Sequence, residues 1–111
     1  MENIVKDIPS NKLVLITHAP PYNTDCDYTK LKDGGFAHVG SKAIYKIIEN
    51  KQPILTLHGH IHDTVQVTGN FPCEIGKTIS CAVSSDHIGD NPYVVNASIN
   101  DGVVFVERVK L

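Results

Sequence analysis

The chain has 111 residues, a formal net charge of −2 at pH 7 and a hydrophobic fraction of 41%. That length suits one domain around one core, and that composition excludes wholesale disorder. The charge offers no basic field for nucleic acid and no polybasic run for a membrane surface, and no apolar stretch approaches the roughly 20 residues of a spanning helix.

Residues 1 to 7 lack the basic start and apolar stretch of a secretion signal, so cytoplasmic residence is expected. Leu13 to Thr17 is aliphatic and β-branched without polar alternation, which predicts a strand buried on both faces. Residues 19 to 39 carry Pro20, Pro21, Gly34, Gly35 and several Asp and Asn, and read as a long loop. A structureless loop of about 20 residues in a small domain is usually functional. Its Asp25 to Gly35 stretch follows His18 and is expected to border a pocket there. Ser41 is a good N-cap for a helix that sets Ile44, Ile47 and Ile48 on one face. Pro53 stops that helix and opens a second buried strand, Ile54 to Leu57. The strand–helix–strand order predicts a βαβ unit with parallel strands.

Beyond Val65 the pattern changes to short β-rich runs at Val65 to Val67, Thr78 to Val83, Tyr93 to Val95 and Val103 to Val106. Asp101-Gly102 is a good hairpin turn between the last two. The expected class is α/β of the α+β sandwich type: a mixed β-sheet with at least one flanking helix, in a single domain over residues 1–111. Cys26, Cys73 and Cys81 are odd in number and form no C-x-x-C pair, so they read as buried free thiols rather than a disulfide framework.

Chemistry concentrates in the histidines. His58, His60 and His62 fall within five residues around Gly59, at the end of the second buried strand, and His18 ends the first. Open α/β sheets place ligand sites beyond the carboxyl ends of their strands. Neutral imidazole is a common ligand for zinc, iron and manganese-class ions. Gly59 suits a backbone that must turn or approach another group. His58 is the weakest member, since its ring could pack within the strand. His38 and His87, each standing alone, read as ordinary hydrogen-bonded histidines.

Thr17-His18-Ala19-Pro20-Pro21, His38-Val39-Gly40-Ser41, Gly59-His60-Ile61-His62 and Asn96-Ala97-Ser98 occur in that order over most of residues 12 to 106. In order and approximate spacing they resemble the C-terminal half of calcineurin-like metallophosphoesterases. The resemblance implies a partial metallophosphoesterase domain whose N-terminal half is missing. It also implies two divalent ions of the Mn, Fe or Zn class, with His18 and His60 on one and His62 on the other. His58, Asp63 and His38 would then line the pocket. The implied activity is hydrolysis of phosphomonoesters or phosphodiesters by a metal-activated hydroxide.

The family's N-terminal ligand motifs, Asp-x-His, Gly-Asp-x-x-Asp and Gly-Asn-His-Asp/Glu, do not occur in the chain. The first reading is therefore half an enzyme, with an incomplete site when alone. A second is a self-sufficient enzyme drawing carboxylates from Asp25, Asp27, Asp63, Asp86 or Asp90, or from a second copy of the chain. A third is a non-catalytic binding or scaffold module derived from the fold. The expected partners are a phosphoester substrate and, across the sheet face that a half-fold leaves open, a homodimer mate or a complementing N-terminal half.

Overall fold

Strands β1 (Val14–Thr17) and β4 (Leu55–His58) pair in parallel, with Thr17 level with His58. β6 (Thr78–Ala82) pairs in parallel on the other side of β4, and β5 (Cys73–Ile75) runs antiparallel along β6. The result is a four-stranded mixed sheet of order β1-β4-β6-β5. The structure, a computed structural model, describes residues 2–85 and 92–111. Asp86, His87 and Asp90 lie outside the described residues. The other elements are helices α1 (Glu2–Val5), α2 (Lys42–Lys51) and α3 (Thr64–Thr68), a 3-10 turn at Ser10–Lys12, and two hairpins. These are β2 (Tyr28–Lys30) with β3 (Phe36–His38), and β7 (Tyr93–Asn100) with β8 (Val103–Lys110).

Helix α2 makes the β1–β4 crossover and carries the core. The Ser41 hydroxyl accepts the Ile44 N–H at 3.1 Å, an N-cap that satisfies one of the first-turn donors. Ile44, Ile47 and Ile48 pack on Val5, Leu13, Leu15 and Ile75. Burying each isoleucine is worth about 2 kcal/mol. Gln52 ends the helix in the left-handed conformation at φ 53° and donates to the Ile48 and Ile75 carbonyls.

Three expectations are revised. β1 is an edge strand with one covered face: Leu15 is buried, but Ile16 is 72% exposed and Val14 also stands out. Alternate strand residues face opposite ways, so the side of the sheet away from α2 is open along this edge. The 19–39 loop contains the β2–β3 hairpin, which carries Tyr28 stacked on Phe36. Val65 to Val67 is helical, in a five-residue turn closed by Gly69 in the left-handed conformation. Glycine there costs nothing sterically and stops the turn.

The Asp101-Gly102 hairpin is longer than the apolar runs suggest. Asp101 (φ 50°) and Gly102 (φ 78°) both take the left-handed region, the requirement of a two-residue turn that matches strand twist. Arg108 ties this hairpin to the body by donating to the Val83 and Ser84 carbonyls, each at 2.7 Å, with its guanidinium 3.6 Å over the Tyr93 ring. Val103 and Phe105 on β8 are exposed. Among the described residues, no helix is long and apolar enough to cross a membrane.

Candidate metal centre

Because β1 and β4 end level, the residues just past them emerge side by side. The Gly59 N–H donates to the His18 carbonyl at 3.1 Å, which extends the pairing one step beyond the sheet. The chain then turns sharply. The Ile61 N–H donates back to the Gly59 carbonyl at 2.8 Å, a three-residue turn with His60 at its centre and φ 69°. Such turns are rare and strained for a residue with a Cβ. The left-handed position is His60, not Gly59, and a Cβ on Gly59 would meet His18 Nδ1 at an ordinary 3.7 Å. Ile61 is buried and anchors the turn.

This turn aims the His60 ring at His18. His18 Nε2 and His60 Nδ1 are 3.1 Å apart, with the rings edge to face at 62°. His18, His60 and His62 all lie at the surface and line one cleft of ≈ 290 Å³ with Val83, Ser84 and Ser85. Sequence reasoning missed Ser84. It follows the third parallel strand, β6, whose Ala82 is level with His58, so the same edge-of-sheet rule reaches it. Ser84 is buried at φ 53°; its hydroxyl accepts from the Val65 N–H at 3.0 Å and donates to Gln66 Oε1 at 2.8 Å. It therefore fixes the far wall of the cleft.

His58 does not reach this cleft. It is 2% exposed and lies within β4, Nδ1 2.7 Å from the Thr17 hydroxyl and Nε2 2.8 Å from the Thr56 hydroxyl. Thr17 donates its one hydroxyl proton to the Ala19 carbonyl at 2.6 Å, so it accepts from His58 Nδ1–H. His58 Nε2 then accepts from Thr56, which in turn contacts the Ser80 hydroxyl. This arrangement suits the neutral ring, and burial pushes its pKa down to about 4. The chain runs from Ser80 through Thr56, His58 and Thr17 to the carbonyl after His18, so it holds the backbone that carries His18.

Asp63 and His38 face elsewhere as well. Asp63 accepts from the Thr29 hydroxyl at 2.5 Å and the Lys30 N–H at 3.2 Å, which docks β2 beside the histidine turn. His38 Nδ1 meets the carboxylate of fully buried Asp27 at 2.6 Å. Asp27 also accepts the N–H groups of Asn23 (2.9 Å), Thr24 (3.0 Å) and Gly40 (2.9 Å). Asn23, Thr24, Asp25 and His38 line a separate cavity of ≈ 410 Å³ against β5, so the 25–35 loop does not border the histidine cleft.

Two imidazole nitrogens on one ion, each about 2.05 Å from it, stand about 3.3 Å apart in tetrahedral geometry and about 2.9 Å at a right angle. The 3.1 Å between His18 and His60 falls in that interval. The same distance also serves a hydrogen bond between two neutral rings. The pair thus fits two positions around a divalent ion, with His62 on the same cleft. Among the described residues, no group of three His, Cys, Asp or Glu side chains stands assembled to hold an ion.

Compared with protein-family models and with solved structures, the chain matches none. It is 46% identical over 80 residues to an uncharacterized protein of Methanocaldococcus jannaschii, an alignment that covers 69% of this chain and 32% of that protein. The chain spans about a third of the length of the curated relative it matches.

Proposed function

We propose that this chain supplies the histidine side of a metal-dependent phosphoesterase centre, and that the anionic ligands come from a second segment outside these residues. One observation carries the reading: His18 Nε2 and His60 Nδ1 converge to 3.1 Å at the ends of two parallel strands, one of them on a strained turn. Strain of this kind persists where the surroundings over-determine it, and it gathers at functional sites. The relative's much greater length is compatible with a second segment that completes the site.

In this reading His18 and His60 hold one ion, His62 faces the other, and Ser84 closes the cleft behind them. A pair of divalent ions bound there would supply an activated hydroxide and neutralise charge on a phosphoryl group. His58 stays neutral and keeps the His18 backbone in place. The open face of β1 is where the complementing segment would dock. A second reading, a scaffold module with vestigial histidines, draws support from the lack of a preassembled three-ligand group among the described residues.

Calorimetric titration of the purified chain with Zn²⁺ and Mn²⁺, beside assays on p-nitrophenyl phosphate, separates these readings. The half-site reading expects weak one-ion binding that disappears in His18→Ala and His60→Ala, with little turnover. Binding unchanged by both substitutions would overturn it in favour of the scaffold. Brisk metal-dependent turnover by the chain alone, abolished by His60→Ala, would replace it with a self-sufficient enzyme.

A further inference from the structure

Cys26 and Cys73 are 47 positions apart in sequence, yet their Sγ atoms stand 3.6 Å apart. Cys26 belongs to the β1–α2 connection, immediately before Asp27. Cys73 opens β5 and lines the cavity beside His38. Both are free thiols, as the sequence leads one to expect, although Cys73 is only half-buried.

We propose that Cys26 and Cys73 form a thiol–disulfide exchange site for low-molecular-weight disulfides, with Cys73 attacking first and Cys26 resolving. Bond formation requires the sulfurs to close from 3.6 Å to about 2.05 Å, a modest movement of two side chains already in contact. Their roles follow from exposure. Cys73 is only half-buried and reaches the cavity, whereas Cys26 is 2% exposed and out of reach of an external reagent. Either thiol can donate across this contact; with Cys26 as the donor, the bond lowers the Cys73 pKa and raises that of Cys26. That arrangement favours the thiolate on the accessible partner, where exchange needs it. Cys81 is fully buried, its pKa pushed up to about 12 by burial, and it takes no part.

The Cys73 thiolate attacks one sulfur of the disulfide RSSR. The S–S bond of RSSR breaks, and the departing thiolate takes up the proton that Cys73 lost. Cys26 then gives its proton to solvent and attacks the Cys73 sulfur, expelling the second thiolate, which is protonated in turn. Two protein thiols and one RSSR become one protein disulfide and two RSH. The new bond fastens the loop that Asp27 organises to the outer strand of the sheet.

The test treats the folded chain with glutathione disulfide and follows it by intact mass and by mapping of unreduced digests. Expected are loss of two hydrogens, a Cys26–Cys73 linked peptide, reversal by dithiothreitol and a higher melting temperature for the oxidised form. Cys26→Ser is expected to accumulate one glutathionyl group on Cys73, Cys73→Ser to leave Cys26 unmodified, and Cys81→Ser to behave as the parent. The unsubstituted chain decides the matter even where a variant misfolds. Three free thiols after prolonged treatment, a stable mixed disulfide on Cys73, or a link through Cys81 would each overturn the proposal.

Discussion

The ring of His60 meets that of His18 at 3.1 Å only because the His60 backbone is held at φ 69°. The two facts have one origin. The Ile61-to-Gly59 hydrogen bond and the burial of Ile61 fix the turn, and the turn aims the ring. A side chain tolerates that conformation at a cost of about 1 kcal/mol, which glycine escapes.

His60→Gly and His60→Ala both remove the imidazole, but only the first relieves the backbone. The glycine variant is expected to be about 1 kcal/mol more stable than the alanine variant, visible as a melting temperature about 4 °C higher. Both are expected to lose metal binding. Equal stabilities would show that the turn relaxes once the ring is gone.

His58 sets a pH dependence. Its pKa falls from an ordinary 6.5 to about 4 in the folded chain because burial penalises the charged ring. Between those values the unfolded chain binds more protons than the folded one, so stability rises with pH there. The contribution is complete above pH 6.5, is lost as pH falls toward 4, and amounts to about 3 kcal/mol. Urea unfolding across that window is expected to slope in the parent and to be much flatter in His58→Asn. The same slope in both would assign the effect to other groups.

The βαβ unit was legible because each of its signals was local: an aliphatic run, the Ser41 cap, isoleucines at helical spacing and Pro53. The convergence of His18 with His60 followed from one rule about strand ends. What escaped depends on partners remote in sequence. Val65 to Val67 has strand-like composition, but Thr64 bonds the Asp25 carbonyl and Val65 bonds Ser84, and these contacts hold it as a helical turn. Asp63 looked like a pocket carboxylate, but Thr29 and Lys30 claim both its oxygens. Nothing near Cys26 announces Cys73.

Asp27 is the pin of the β1–α2 connection. Replacing it with alanine leaves the N–H groups of Asn23, Thr24 and Gly40 without their acceptor and His38 without its partner. A loss of roughly 3 kcal/mol is expected in chemical denaturation, since three N–H bonds and the His38 contact to one buried carboxylate are lost together. Asp27→Asn should fare little better, because it brings donors where donors already converge. Metal affinity at the His18–His60 pair is expected to hold, as the loop lines the other cavity. A parallel collapse of metal binding would place the loop at the cleft after all.

Gly40 and Gly59 stand in two conspicuous sequence motifs, yet their surroundings predict opposite tolerance. A Cβ on Gly40 would lie 2.6 Å from the Pro20 carbonyl oxygen, 2.8 Å from that of Pro21 and 2.8 Å from Asp27 Cβ. Backbone cannot swing aside as a flexible side chain does, and both carbonyls are already engaged, Pro20 by the Ser41 N–H and Pro21 by the Thr24 hydroxyl. Gly40→Ala is therefore expected to cost at least about 2 kcal/mol through overpacking and a displaced Asp27. On Gly59 the nearest atoms would be His18 Nδ1 at 3.7 Å and the His18 carbonyl oxygen at 3.9 Å, both ordinary contacts. Gly59→Ala should fold within about 1 kcal/mol of the parent. Thermal melts of the two variants side by side check the ordering; a Gly59→Ala loss as large as that of Gly40→Ala would mean that the histidine turn needs its glycine for a reason other than space.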